Sequence, residues 1–284
     1  MRSAASRSAG WLFVLPALAV YAVFVLRPLA STVRYSLYRW DGVGPSTWVG
    51  WDNYRRVLTD PDLCGALGHA LLLIVFFTGI PVPLGLLAAA VLRRTRAGGP
   101  VRAVLLLPQA VPLVAAGIAW SLLLSSTGAV NRLLDAVGLG GLTRAWLGDS
   151  ATALAAVGVI GAWVLLGLCT TLLLAGLDRI DPALHEAARL DGAGFWQALR
   201  AVTLPGVRRE LGVCVTVTAI AALASFDVVY VTTQGGPGDA TSVPGLEVYQ
   251  LAFAQREVGL ASALAVVLMA LVLAVVAPVL RWSR

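Results

Sequence analysis

The side chains that could do acid–base, redox or metal chemistry are few and scattered in this sequence. The three cysteines, Cys64, Cys169 and Cys214, lie far apart, and the two histidines, His69 and His185, are isolated. No CxxC pair and no spacing typical of metal ligands occurs, so the sequence supports neither a disulfide framework nor a metal site. We interpret the histidines as ordinary interfacial residues, and the sequence predicts no catalytic centre.

The charged residues exclude two further classes of function. All 21 basic residues are arginine, and a nucleotide-binding P-loop of the form G-x4-G-K-[ST] requires a lysine. The chain by itself therefore cannot be a standard ATPase. Its formal net charge is +6, but the arginines lie in short clusters between apolar runs. This distribution is typical of topology-setting charge in a membrane protein and not of a nucleic-acid-binding surface.

The composition indicates the class of protein in which these residues lie. Of the 284 residues, 58% are hydrophobic and 13% are charged, whereas soluble domains average about 25% charged residues. The mean hydropathy is +0.83. This amount of polar surface is too small to cover a water-soluble protein of this size. The apolar residues must therefore face lipid. We predict a multi-pass integral membrane protein.

Six apolar stretches are long enough to cross a hydrocarbon core of about 30 Å, which takes about 20 helical residues. Because a backbone in lipid must satisfy its own hydrogen bonds, we predict that they are helices of an all-α membrane protein. The first stretch is too long for a typical signal-peptide core, so we predict a retained helix. The stretches are Trp11–Val33, Ala70–Leu92, Ala103–Leu124, Thr152–Gly176, Leu211–Val231 and Leu260–Leu280.

Prolines interrupt the first three stretches. They are Pro16, Pro81, Pro83, Pro108 and Pro112. Each removes a backbone donor and tends to kink its helix. The kinks either reflect packing or mark broken helices that line a cavity, and the sequence alone leaves both open.

The arginines also predict the orientation of the chain in the membrane. With the N-terminus in the cytoplasm, the inside loops carry the higher density of arginine, as the positive-inside rule requires. The short link Arg93–Arg102, with four arginines, is the strongest single anchor. Six spans then place both termini in the cytoplasm.

A long link on the arginine-rich side, Leu177–Glu210, does not fit a simple connector. Asp181 is suited to cap a helix, and Pro182 is suited to its first position. Gly192 and Gly194 interrupt this helix. We predict a second short helix over Phe195–Val202, ending before Leu204-Pro205, so that two short helices join at a glycine bend against the membrane.

This link carries a recognisable motif. Glu186-Ala187-Ala188, three residues, Gly192, nine residues and Val202-x-Leu204-Pro205 resemble the EAA signature of ABC-importer permeases, E-A-A-x3-G-x9-I-x-L-P, with valine for isoleucine. Asp191-Gly192-Ala193 is similar to the sugar-importing branch. The chain has Ile180-Asp181-Pro182 where the family often has Ile-Pro-Pro, and Arg209 in place of a second proline. An amphipathic interfacial helix without a partner is the alternative interpretation.

The resemblance implies a permease subunit of a binding-protein-dependent ABC importer, with the type I fold of six transmembrane helices and a cytoplasmic helix pair. It implies one transmembrane domain over residues 1–284, in which residues 177–209, the coupling segment, dock into a cytoplasmic ATPase. The implied partners are a homologous second permease, two ATPase subunits that bind ATP and Mg²⁺, an extracytoplasmic sugar-binding protein and the lipid bilayer. The implied coupling residues are Glu186, Ala187, Ala188, Asp191, Gly192, Leu204 and Pro205.

Other stretches resemble the same family over essentially the whole chain. Val49-Gly50-Trp51-Asp52-Asn53-Tyr54 is similar to the V-G-x-x-N-Y/F element of sugar permeases, and Leu107-Pro108-x3-Pro112 to the start of the family's third span. Residues 226–237, with the pattern F-D-x2-Y-V-x-T-x-G-G-P, resemble the maltose/glycerol-phosphate branch.

Apart from Arg27, Asp227 is the one charged residue within the six stretches. It lies near the outer end of the fifth, where a solvated carboxylate and a gating or substrate role are equally compatible with the sequence. Aromatic faces suit sugar rings, so we place Phe226 and Tyr230 beside Asp227 on the substrate path. Trp120, Ser121 and Ser125 are weaker candidates of the same kind, because tryptophan is also a common membrane-interface anchor.

These observations predict a non-enzymatic, pore-forming subunit that imports a carbohydrate, a neutral sugar or oligosaccharide, across the cytoplasmic membrane. The same machinery importing glycerol-phosphate esters is the alternative. A secondary transporter would need carboxylates near the midplane, for which Asp227 is too peripheral and solitary. A membrane-embedded enzyme would need convergent acids, bases or metal ligands that the spans lack.

Overall fold

The computed structural model describes residues 14–94 and 99–283, without the side chains of residues 94 and 99–102. The predicted start of the first span at Trp11 and the arginines Arg2, Arg7, Arg96 and Arg284 lie outside the described residues. The helices are α1 (Val14–Tyr35), α2 (Asp52–Thr59), α3 (Pro61–Gly79), α4 (Pro81–Arg94), α5 (Gly99–Ala110), α6 (Leu113–Leu123), α7 (Ala129–Ala136), α8 (Ala153–Asp178), α9 (Pro182–Leu190), α10 (Phe195–Ala198), α11 (Leu204–Gly206), α12 (Arg208–Leu223), α13 (Phe226–Thr232), α14 (Pro244–Tyr249) and α15 (Val258–Ser283).

Four of the predicted spans are confirmed as continuous helices that are long and apolar enough to cross a membrane. The fourth and sixth predictions match the structure within a few residues, and so does the end of the first. The second begins earlier than predicted, because Pro61 and Asp62 form a favourable helix N-terminus ahead of the apolar run. The four helices are Val14–Tyr35, Pro61–Arg93, Ala153–Asp178 and Val258–Ser283.

The third and fifth predicted spans are broken. Helices α5 and α6 meet at an angle of 107°, because Pro112 has an extended backbone, with ψ of 140°, and cannot continue the helix. The pair is either a broken span or a re-entrant loop. Helices α12 and α13 meet at 46° across Ala224 and Ser225. This break contains neither proline nor glycine. Counted as one span each, the two pairs bring the total to six.

The described residues form two compact units, of which the first contains residues 14–60 and 248–267. It holds the small antiparallel pair of β1 (Tyr38–Arg39) and β2 (Thr47–Trp48), which the sequence did not predict. The buried Asn53 donates from Nδ2 to the carbonyl oxygens of Ser36 and Tyr38, both at 2.9 Å. The V-G-x-x-N-Y element therefore fixes the turn that follows α1.

The second unit contains residues 61–247 and 268–283, and α8 lies at its centre. Helices α3, α4, α5, α6 and α12 all pack against α8. A Cβ on Gly161 would lie 2.0 Å from Phe77 Cζ, so α8 and α3 touch where only glycine allows it. Small residues at helix contacts are how membrane helices approach closely without a hydrophobic driving force.

Two buried clusters divide this unit along α8. The first contains Phe77, Val157, Ile160, Val228 and Val229 and reaches the broken end of the fifth span. The second reaches the base of the coupling segment. Its members include Ala89, Cys169, Leu173, Leu177, Ile180, Val207 and Cys214. The two ends of α8 thus support the two regions to which the sequence assigns function.

Candidate functional site

The coupling segment begins with a capped helix. Asp181 accepts a hydrogen bond from the backbone N–H of Ala183 at 2.9 Å, and Pro182 occupies the first turn of α9. The helix ends at Leu190, after which Gly192 adopts a φ of +77°. This left-handed conformation favours glycine, because a Cβ would crowd the following carbonyl. Asp181 and Gly192 therefore set the start of α9 and the turn that follows it.

The second half of the segment is longer than the sequence predicts. Helix α10 begins after Gly194, whose N–H donates to Gln197 Oε1 at 2.8 Å. The chain continues through a π-helical turn, Leu199–Thr203, into α11, and does not end before Leu204-Pro205. The wider π turn accommodates the proline ring and its missing N–H, which a regular helix would not.

The outer surface of the segment is open. Glu186, Ala187, Asp191, Gly192 and Pro205 are exposed, whereas Ala188 and Leu204 are half-buried. Large apolar side chains around the glycine bend are also exposed. They are Leu184, Leu190, Phe195 and Trp196, with Leu190 90% and Trp196 71% exposed. Large exposed apolar side chains clustered in one short segment are typical of protein interaction sites.

The motif predicted the small residues and the carboxylate of this surface but missed its large apolar residues. The rings of Phe195 and Trp196 pack edge to face, with centroids 5.3 Å apart. Their signal in the sequence is two adjacent aromatic residues directly after a glycine bend. A cavity of about 590 Å³ opens beside them, lined by Leu86, Leu87 and Ala90 of α4 and by Glu186.

The base of the segment, in contrast, is held by several contacts. Ile180 is buried in the second cluster together with Val207, so both ends of the segment join the same core. Arg93 donates from Nη2 to the Ile180 carbonyl oxygen at 3.2 Å and lies 3.8 Å from Asp178. The segment thus presents an exposed surface on a fixed base.

The substrate-path candidates of the fifth span lie on α13. Asp227 and Tyr230 are exposed, Phe226 is half-buried against the first cluster, and Val228 and Val229 are buried in that cluster. The rings of Phe226 and Tyr230 stack, with centroids 5.2 Å apart. Asp227 is exposed in the first turn of α13, where the helix dipole favours a carboxylate. This arrangement offers an aromatic face with one acidic group beside it.

The candidates of the third span lie on or just after α6. Helices α6 and α13 pack closely, since a Cβ on Gly117 would lie 2.6 Å from Val231 Cγ2. Trp120 and Phe226 both pack against the first cluster. Ser121 and Ser125 donate to the carbonyl oxygens of Gly117 and Leu122, so their hydroxyls retain only acceptor capacity.

The sequence analysis did not identify Trp163, on α8, as a candidate. Its ring meets that of Trp120 edge to face, with centroids 5.7 Å apart. The sequence does contain a signal for this residue. It is a tryptophan in the middle of an apolar span, away from the membrane interface where tryptophan is usually found. In the part of the chain that the structure describes, no group of three or more His, Cys, Asp and Glu side chains could hold a metal ion.

Comparisons with known proteins agree with this architecture. Residues 81–281 match the family of the binding-protein-dependent transport system inner membrane component. A probable ABC transporter permease protein of Bacillus subtilis, YurN, is 36% identical, covering 93% of this chain and 92% of the relative. The trehalose/maltose transport system permease protein MalF of Thermococcus litoralis is 33% identical over 97% of this chain and 93% of its own.

Two further similarities cover most of the chain. The diacetylchitobiose uptake system permease protein NgcF of Streptomyces coelicolor is 31% identical, covering 94% of this chain and 80% of the relative. A solved chain of a bacterial ABC transporter that imports the acidic polysaccharide alginate is 22% identical. The match covers 100% of this chain and 99% of that chain, with a TM-score of 0.82. At this sequence identity the structural similarity shows a shared fold and nothing further.

Proposed function

The chain belongs to the family of binding-protein-dependent transport system inner membrane components, and from this premise we propose that it is a permease subunit of an ATP-driven sugar importer. One six-helix chain forms half of the pathway, and a homologous second permease forms the other half. An extracytoplasmic binding protein delivers the sugar. Two cytoplasmic ATPase subunits bind and hydrolyse ATP with Mg²⁺, since this chain has no lysine for a P-loop.

The observation that carries this proposal is the geometry of the coupling segment. A capped helix, a left-handed glycine and a second helix present Glu186, Leu190 and Trp196 to the cytoplasm on a base that is part of the core. The apolar side chains supply the buried contact with the ATPase, and Glu186 supplies a charge at its edge. The motif residues Ala187, Ala188 and Asp191 complete the docking surface.

The membrane orientation follows from the same assignment. The coupling segment and both termini face the cytoplasm, and the loops that contain β1, β2 and α7 face the other side. The higher density of arginine on the cytoplasmic side supports this topology.

The substrate that we propose is a neutral sugar or oligosaccharide. Relatives of this chain are named for diacetylchitobiose, for trehalose and maltose, and for lactose. Aromatic rings suit the C–H faces of sugars, and Phe226, Tyr230, Trp120 and Trp163 provide such rings along α13, α6 and α8. Apart from Arg27, no basic residue lies within the six apolar stretches. Within the apolar stretches a phosphate ester would therefore meet no basic side chain other than Arg27 in this half of the pathway.

Uptake measured in a deletion strain tests the function. Labelled neutral oligosaccharides and glycerol-phosphate esters are compared with and without the gene for this chain. We expect loss of ATP-dependent uptake of one neutral sugar and unchanged uptake of the phosphate esters. Loss of only the phosphate-ester uptake would overturn the substrate assignment and retain the importer.

A further inference from the structure

Two oppositely charged residues lie near the two ends of the coupling segment. Arg179 follows the last turn of α8, and Glu210 lies in the first turn of α12, directly after the segment ends. Although 31 positions separate them, Arg179 Nη2 donates to Glu210 Oε1 in a hydrogen-bonded ion pair. Neither residue belongs to the EAA motif, and their pairing closes the segment into a loop.

The two partners differ in burial. The Arg179 side chain is 69% exposed, whereas the Glu210 side chain is 14% exposed. Glu210 packs against α8 so closely that a Cβ on Gly176 would lie 2.8 Å from Glu210 Cγ. Within the described residues, the buried Oε2 atom of Glu210 has no hydrogen-bond partner. A carboxylate in this position depends on its one cation, because an unpaired buried charge is strongly unfavourable.

Two arginines near the pair, Arg208 and Arg93, have other partners. The Arg208 guanidinium lies over the ring of Trp282, 5.1 Å from its centroid. Arg93 pairs with Asp178 and with the Ile180 carbonyl. Arg179 is the cation that pairs with Glu210 in the structure, and the N-terminal dipole of α12 also favours the carboxylate.

Helix α12 leads from this pair to the broken end of the fifth span. After the 46° break, α13 carries Phe226, Asp227 and Tyr230. We propose that the Arg179–Glu210 pair is a positioning pair that makes α12 move together with the coupling segment, and so sets how many ATP molecules are hydrolysed for each sugar imported. This inference rests on the proposed function and names residues beyond the motif that serve it.

The pair acts as a tether because its separation leaves the buried Glu210 carboxylate without a cation. Separation is therefore unfavourable. While the pair is intact, a displacement of the segment by the ATPases displaces the start of α12 as well. Without it, the first residues of the segment can be displaced by the ATPases without an equal displacement of the start of α12. ATP is then hydrolysed without a matching opening of the path.

The experiment uses the assembled transporter in proteoliposomes, with its partner permease, ATPases and binding protein. Glu210→Gln removes one charge at nearly constant shape, and Arg179→Gln removes the other with a shorter polar side chain. We expect the ATP hydrolysed per sugar imported to rise several-fold in both. Glu257→Gln is the control, because Glu257 forms an ion pair with Arg56 at 2.7 Å within the first unit, in which the carboxylate is more exposed, at 39%. It should leave the ratio unchanged.

A double variant separates positioning from stability. Arg179→Met with Glu210→Met removes both charges, so no buried charge is left unpaired and the protein should reach normal membrane levels. We expect its ratio to stay raised. A ratio equal to that of the unaltered protein in the double variant and in both single variants would overturn the inference.

Hydrogen exchange tests the tether without any transport. In the reconstituted transporter, Glu210→Gln should speed exchange of the amides at the segment base, near Ile180 and Val207, several-fold. The Glu257→Gln variant should not. Unchanged exchange at the base would refute the tether even if sugar import is normal. Faster exchange in an assembly that imports no sugar would support the tether and count against the proposed function.

Discussion

The backbone N–H of Gly192 donates to the carbonyl oxygen of Arg189 at 3.0 Å, and this bond turns the chain out of α9. Gly192 holds a φ of +77°, and a Cβ added to it would meet no atom within 4 Å. The position therefore has space for a side chain but not the backbone conformation for one. A substitution there changes the bend and the proposed docking surface without disturbing the core.

We predict that Gly192→Arg abolishes the stimulation of ATPase activity by the loaded binding protein while the chain still inserts. The left-handed backbone costs a non-glycine residue roughly 1–2 kcal/mol, and the arginine projects from the docking surface. Gly138→Arg is the matched control, because Gly138 also has a positive φ, of +82°, with nothing within 4 Å of its Cβ position. Membrane levels and stimulated ATPase activity are measured together, and normal stimulation in Gly192→Arg would refute the docking role.

The contact between Gly161 and Phe77 makes a prediction about stability. Gly161→Ala places a methyl group 2.0 Å from the Phe77 ring, so α3 and α8 must move apart. We expect a loss of about 1–3 kcal/mol, as for other overpacked cores. Gly65→Ala in α3 meets no atom within 4 Å and should be neutral or stabilising. Thermal unfolding in detergent compares the two, and equal midpoints would contradict this packing.

The aromatic face of α13 predicts an effect on sugar affinity. Tyr230→Ala should raise the apparent KM for the imported sugar about 3–10-fold, the loss expected for one aromatic contact. Tyr230→Phe should retain most of the affinity if the ring face is what binds. Tyr249→Ala is the control, because Tyr249 is equally exposed, at 40%, and its ring lies 5.3 Å from that of Phe253 in a tilted arrangement. A KM that rises equally in both alanine variants would remove Tyr230 from the path.

Reporter fusions test the topology. A reporter joined after Arg96 should be active on the cytoplasmic side, and one joined after Arg144 on the outside. The expectation rests on the arginine distribution and on the number of apolar stretches between these points. The reverse result, or the same side for both fusions, is incompatible with the proposed orientation.

Much of this protein is determined by its sequence alone. The spans follow from apolar length, because a bilayer requires about 20 helical residues and leaves no alternative to a helix. The capped helix and its glycine turn follow from Asp181, Pro182 and Gly192, since each acts on backbone groups within a few residues of itself.

Other features were decided only by the tertiary structure. The break at Ala224 and Ser225 contains no proline or glycine, and the Trp120–Trp163 contact joins two different helices. The Arg179–Glu210 pair joins residues 31 positions apart. Such features depend on which helices pack together and at what register, and local sequence preferences do not carry that information.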